Sequence, residues 1–93
     1  MKVETKSGFK FDFDDRILED WRLVEAITDA DSDDPVKILK GTRETIELLF
    51  GENKEKLMDH IAKKNDGYVP TDKIREELFD AISKAKNSSS SPG

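Results

Sequence analysis

Three aspartates at alternating positions are the clearest candidate for metal chemistry in this sequence. Asp29, Asp31 and Asp33 have the spacing that opens an EF-hand calcium loop. Such a loop needs glycine at its sixth position for a sharp turn and glutamate at its twelfth as a bidentate ligand, but Asp34 and Lys40 stand there. We therefore expect no metal and no cofactor, and we interpret the segment as an acidic linker in which Asp34 caps the next helix.

Acidic side chains are also plentiful further upstream, where two of them could serve as the acid and base of a hydrolase. That chemistry needs two carboxylates in different environments beside a cleft, and a thin core leaves little room for one. We interpret these residues as a solvated helix face: Asp14, Asp15, Glu19 and Asp20. Cysteine is absent, and the single histidine, His60, is expected at the surface without a serine partner. The sequence predicts a protein that is not an enzyme.

Composition favours one small acidic domain. The chain has 93 residues, of which 40% are charged and 34% hydrophobic, with a net charge of −5. Leu, Ile, Val and Phe make up about a quarter of the residues, which favours a folded chain over a disordered one. We expect no nucleic-acid partner, because a protein needs a basic face to bind phosphate groups and this chain is acidic. No apolar run resembles a membrane span or a secretory signal, so we expect a soluble cytoplasmic protein with no membrane partner.

The charge is unevenly distributed along the chain. Residues 12–34 contain ten acidic and two basic residues, whereas the remainder is net basic. One interpretation is solvated helix faces of ordinary composition. The other is a dipolar surface that meets a basic partner, or that docks head to tail on its own copies in weak self-association.

The N-terminal residues predict a β-hairpin. Residues 9–13 alternate apolar and polar side chains, which places Phe9, Phe11 and Phe13 on one face of a strand. Residues 3–5 are its expected partner strand, and residues 6–8 are the turn, in which Gly8 takes the left-handed conformation.

Four helices are expected after the hairpin. The first runs from about Asp15 to Asp29 and the second from Pro35 to a stop at Gly51. A short third helix follows Asn53 and carries Leu57 through Ala62, and the fourth runs from Pro70 through Ala85. Trp21 lies at the centre of the first apolar stripe, so we expect it to be mostly buried against the phenylalanine strand. Val36 and Leu39 are expected on the buried stripe of the second helix, which Gly41 weakens and could bend.

These elements predict a mainly α (α+β) fold. An N-terminal hairpin packs on a bundle of about four short helices in one domain over residues 1–86, and residues 87–93 form a flexible, disordered tail. The candidate protein-interaction residues combine aromatic and acidic side chains: Phe9, Phe11, Phe13, Asp20, Trp21, Asp29, Asp31 and Asp33. For the aromatic residues, a role in the core is the first interpretation and an interface anchor the second.

Four segments in series carry a likeness to a known family. They are the glycine-led aromatic strand GFKFDFD at residues 8–14, the acidic helix LEDWRLVEA at 18–26, DP at 34–35 followed by IELLFG at 46–51, and the turn DGYVP at 66–70. Each is weakly specific alone, and the ordered set carries the likeness. From Gly8 to about Ile82, the chain resembles the tail assembly chaperones of long-tailed bacteriophages and prophages of Gram-positive hosts.

The resemblance implies a binding function without catalysis. Such chaperones coat the long helical tape measure protein, keep it soluble and help to recruit the tail tube protein that displaces them. A helix with an exposed apolar stripe aggregates unless a partner covers it, which many weak binders in a row can do through avidity. The alternative is a small acidic regulator or inhibitor, of phage or bacterial origin, that binds another protein through the segment 12–34.

Overall fold

The computed structural model describes residues 1–89. Over that range it contains one antiparallel hairpin and four α-helices, which confirms the predicted mainly α (α+β) fold class. The elements are β1 (Lys2–Glu4), β2 (Lys10–Asp12), a 3₁₀ helix (Asp15–Glu19), α1 (Trp21–Ala30), α2 (Pro35–Leu49), a second 3₁₀ helix (Gly51–Asn53), α3 (Lys54–Lys64) and α4 (Thr71–Ser89). They fall into two compact units, residues 13–52 and the residues on either side of that segment.

Alternation along β1 and β2 builds the predicted hairpin, although β1 covers Lys2–Glu4 and the sequence predicts a strand at residues 3–5. Val3 lies opposite Phe11 on the buried face, and the exposed pairs Lys2–Asp12 and Glu4–Lys10 each bring together opposite charges. In the turn, the Gly8 N–H donates to the Thr5 carbonyl at 2.9 Å. Gly8 has a φ of +92°, the left-handed conformation that the sequence predicts.

The phenylalanines do not all share the strand face. Phe9 and Phe11 are buried, and their stacked rings lie 5.7 Å apart. Phe13 is half-buried and lies beyond the end of β2, because the strand ends at Asp12. The expected row of three phenylalanines is therefore a row of two.

The unit that contains the hairpin has its core on the inner faces of α3 and α4, with α4 in contact with β1. Its buried apolar side chains are Val3, Phe9, Phe11, Leu57, Ile61, Ile74, Leu78, Ala81, Ile82 and Ala85. α4 continues to Ser89, so residues 87–89 are helical where the sequence predicts the start of a flexible tail. The rest of that predicted tail, 90–93, lies outside the described residues.

In the second unit, the expected helix from Asp15 to Asp29 is divided in two. Asp14 caps the first 3₁₀ helix and Asp20 caps α1, each by accepting a hydrogen bond from the backbone N–H two residues on. Both caps have extended backbone, which interrupts the helical path at Asp20. The prediction of one continuous helix is wrong because it overlooks this second cap.

Close contact between α1 and α2 organises the same unit. A Cβ atom at Gly41 would lie 2.5 Å from the Ala26 carbonyl oxygen and closer still to the Ala30 backbone nitrogen. α2 continues through this position without a break. Because Gly41 has no side chain, the backbones of α1 and α2 can lie close together at this point.

Trp21 is 68% exposed, which contradicts its predicted burial. The buried residues of α1 are Leu23, Ala26 and Ala30, and helical geometry places Trp21 on the opposite side. Val36 and Leu39 are likewise exposed rather than buried, because α2 buries the face that carries Gly41, Thr45 and Leu49. Apolar spacing predicted a helix in each of these segments, and it assigned these three side chains to the wrong face.

Candidate functional site

Trp21 and Val24 are exposed apolar side chains on the side of α1 that faces away from α2, and we call this pair the α1 outer face. An exposed tryptophan is unusual, because burial of its large ring stabilises a core or an interface more than burial of most other side chains does. The pair gives unit 13–52 a surface that can bind an apolar side chain.

The start of this face is held by a capping pair. The Asp20 side chain accepts a hydrogen bond from the Arg22 N–H at 2.9 Å, and the Arg22 guanidinium donates back to the same carboxylate at 2.7 and 3.1 Å. These bonds favour the ionised carboxylate and lower the pKa of Asp20 from 3.8 to about 2. Asp14 and Arg16 repeat the arrangement one element earlier, and the pKa of Asp14 is also about 2.

The predicted acidic linker follows α1. Asp29 is half-buried at the end of the helix, whereas Asp31 and Asp33 are exposed. Asp34 accepts a hydrogen bond from the Val36 N–H at 3.0 Å, which confirms its predicted role as a helix cap. Across residues 1–89, no group of three or more His, Cys, Asp or Glu side chains could hold a metal ion.

A shallow groove of about 710 Å³ runs along the exposed side of α2. Arg22 lines it together with six α2 residues: Leu39, Lys40, Arg43, Glu44, Glu47 and Leu48. These six residues, which we call the α2 outer face, place two leucines around a row of two basic and two acidic side chains. Leu39 is 62% exposed.

The hairpin turn carries a polar cluster that the sequence does not predict. The Ser7 hydroxyl lies 3.0 Å from His60 Nε2 and 3.2 Å from the Thr5 hydroxyl, which donates to Glu77 at 2.7 Å. The ring of His60 lies 5.3 Å from that of Phe9, and His60 is half-buried. Its expected isolation from serine is therefore wrong, because the fold brings together residues that are 53 positions apart.

A serine beside a histidine can act as a nucleophile, but acyl transfer also needs hydrogen-bond donors for the developing oxyanion. Three backbone N–H groups beside Ser7 are engaged: Lys6 donates to the Asp80 carboxylate, Gly8 to the Thr5 carbonyl, and Phe9 to the Thr5 hydroxyl. The Lys6–Asp80 bond connects the turn to α4 and the Ser7–His60 contact connects it to α3, so the geometry favours a structural role for the cluster.

The sequence-predicted interaction residues are divided between the core and the surface. Phe9 and Phe11 are buried and cannot meet a partner without a rearrangement of the hairpin. Asp20 and Trp21 are adjacent at the start of α1, and Asp31 and Asp33 are exposed beyond its end. The α2 outer face was not among the candidates, although the order of two basic residues, Lys40 and Arg43, followed by two acidic residues, Glu44 and Glu47, is a signal that a search for charge patterns along a helix could find.

Within residues 1–89, no helix is both long enough and apolar enough to cross a membrane. No protein-family model, curated protein or solved structure matches this chain at a significant level.

Proposed function

We propose that this protein is a non-catalytic tail assembly chaperone that binds an amphipathic helix of a phage tape measure protein in the bacterial cytoplasm. The family likeness in the sequence supplies the identity of the partner and the accompanying role in recruiting tail tube subunits. The observation that carries the proposal is the exposed Trp21 on the α1 outer face.

The chemistry of this face fits a helical partner with an apolar stripe. Trp21 and Val24 offer an apolar contact, and an extended helix would otherwise leave its own apolar residues in water. Binding at such a face is weak for one site, and many copies along one long helix can protect it together.

Charge selects among such helices. The segment 12–34 is strongly acidic, and exposed Glu25, Asp31 and Asp33 belong to α1 and the linker that follows it. A partner helix with Lys or Arg flanking its apolar stripe is therefore favoured over an acidic one, and this contribution weakens as salt screens the charges.

The test uses Trp21 as its own reporter, because it is the single tryptophan of the chain. Peptides covering the helical segments of the tape measure protein from the same genome are titrated into the chaperone, with tryptophan emission and calorimetry as readouts. We expect a blue shift on binding and, for Trp21→Ala, a loss of affinity of about tenfold or more by calorimetry.

Tyr68→Ala is the matched control, since Tyr68 is an exposed aromatic residue in the other unit and should leave affinity unchanged. Equal affinity of Trp21→Ala and the unmodified protein would contradict the proposed face. Failure of every tape measure segment to bind would contradict the proposed partner.

The exposed acidic side chains of the linker favour a second candidate, a regulator that binds a basic globular protein. That interaction would depend on the linker charges and not on Trp21. Replacement of Asp31 and Asp33 with Asn would then abolish binding to the basic partner, whereas Trp21→Ala would have no effect.

A further inference from the structure

The α2 outer face has a charge order that complements itself. Along the helix, Lys40 and Arg43 come first and Glu44 and Glu47 follow. The sequence midpoint of this row lies between Arg43 and Glu44, so each basic residue has an acidic residue at the same distance on the other side. Leu39 and Leu48 extend the symmetry, one at each end.

This symmetry matters when two α2 helices lie antiparallel, because residues equidistant from the midpoint then come opposite each other. Lys40 of one copy meets Glu47 of the other, and Arg43 meets Glu44. Leu39 meets Leu48 in the same way. A two-fold axis repeats every one of these pairs, so the contact closes on two copies.

We infer that the α2 outer face is the docking surface for a second copy of this chain, in an antiparallel, two-fold symmetric helix pair. Lys40, Arg43 and Glu47 are exposed, and Glu44 and Leu48 are half-buried. The charges set the direction and register of the pair, because a parallel arrangement in register would place like charges together. The leucines at the ends contribute the apolar contact.

A second copy suits this surface better than an unrelated helix does. An unrelated partner would have to supply acidic residues opposite Lys40 and Arg43 and basic residues opposite Glu44 and Glu47, whereas a second α2 already supplies both. Exposed ion pairs stabilise a complex only modestly, so the dimer is expected to be weak, concentration-dependent and weaker in high salt. The inference stands apart from the proposed function, since it uses α2 and the chaperone contact uses the α1 outer face.

The first test uses charge reversal and mixing. In Lys40→Glu, residue 40 faces the like charge of Glu47 on its copy, and in Glu47→Lys, residue 47 faces Lys40. Each variant alone should dimerise about tenfold or more weakly in sedimentation experiments. An equal mixture of the two variants should recover the dimer, because both pairs across the axis are then opposite in charge.

Two exposed positions outside the groove provide matched controls, and Lys37→Glu and Glu25→Lys should leave association unchanged. Circular dichroism of every variant checks that the fold is intact. Dimerisation of each reversed variant at the unmodified level would overturn the inference. So would a mixture that associates no better than its components, or an unmodified protein that stays monomeric at millimolar concentration and low salt.

The second test reports symmetry directly. The chain has no cysteine, so a single Cys in Arg43→Cys lies beside the proposed two-fold axis and next to its own counterpart. Mild oxidation should cross-link this variant into a covalent dimer, and Lys37→Cys should stay largely monomeric. A head-to-tail contact keeps identical residues apart, so equal, slow cross-linking of both variants would exclude the symmetric pair.

Discussion

Trp21 and Leu23 are two positions apart on α1 and have opposite environments, with 68% and 1% of their surfaces exposed. Both are large and apolar, and sequence spacing alone counted both as core. The difference follows from packing: Leu23 shares the side of α1 that carries the buried Ala26 and Ala30, and Trp21 lies on the opposite side.

Replacement of these two residues should therefore have opposite consequences. Trp21→Ala should change the free energy of unfolding by less than about 0.5 kcal/mol, because it removes an exposed ring. Leu23→Ala should cost about 2–5 kcal/mol, since it leaves a cavity in a packed region. Urea denaturation followed by circular dichroism measures both. A large loss of stability in Trp21→Ala would show that the ring is packed in solution.

The Asp20 cap should persist into strong acid. Its pKa is lowered from 3.8 to about 2 by the hydrogen bonds from Arg22. A group with a lowered folded-state pKa stabilises the fold fully above its unfolded value, and this stabilisation is lost as the pH falls from about 3.8 through about 2. Arg22→Ala should raise the pKa of Asp20 towards its ordinary value, as measured by NMR titration of the side-chain carboxyl carbon.

Asp14 provides the control for that titration. Arg16→Ala removes the partner of Asp14 and should raise the pKa of that residue while leaving Asp20 at about 2. An unchanged Asp20 pKa in Arg22→Ala would contradict the assignment of the shift to the guanidinium.

At the level of elements, Gly41 shows how packing overrides helix propensity. In a helix with free space around this position, replacing Gly with Ala would stabilise the helix by about 1 kcal/mol, because Ala has the higher helix propensity. Here the new Cβ would meet backbone atoms of Ala26 and Ala30, which cannot move aside as a flexible side chain can. We expect a net loss of about 1–3 kcal/mol in the free energy of unfolding.

Lys37→Ala on the exposed side of α2 is the matched control, and its unfolding free energy should change by no more than about 0.5 kcal/mol. A stabilised Gly41→Ala variant would mean that α1 and α2 are further apart in solution than in the structure.

Local signals in the sequence were sufficient to predict the hairpin and the four helices. Alternation identified β2, Gly8 identified the turn, and the Asp34–Pro35 pair identified the start of α2, because each of these depends on neighbouring residues. The break at Asp20 was missed, since Asp20 reads equally well as an exposed helical residue.

The sequence alone could not predict which residues far apart in the chain lie close together in the fold. The contact between Ser7 and His60 and the choice of buried face on α1 and α2 depend on which elements pack together. The family likeness rests on local segments, and the partner that it implies comes with no indication of the surface that would bind it. For the candidate site, the sequence indicated Trp21 because of its residue type, and the structure showed that its side chain is exposed.

For the molecule as a whole, the two proposed surfaces belong to one compact unit, residues 13–52, and lie on different helices. In the two proposals, one surface would bind a target helix and the other would bind a second copy. A dimer built through α2 would therefore carry two α1 outer faces and could bind two sites on one target, which raises the effective concentration of the second contact.

This arrangement predicts tighter binding to tandem targets. A peptide with two copies of the bound segment, joined by a flexible linker, should bind the unmodified protein about tenfold or more tightly per site than a single copy does. Glu47→Lys should lose this gain while retaining affinity for the single-copy peptide, because it disrupts the α2 pair and leaves Trp21 unchanged. Calorimetry with both peptides measures each quantity, and several linker lengths test whether the two faces can be reached together. Equal per-site affinity for tandem and single peptides at every length would show that copies do not cooperate through α2, even if each binds the target through α1.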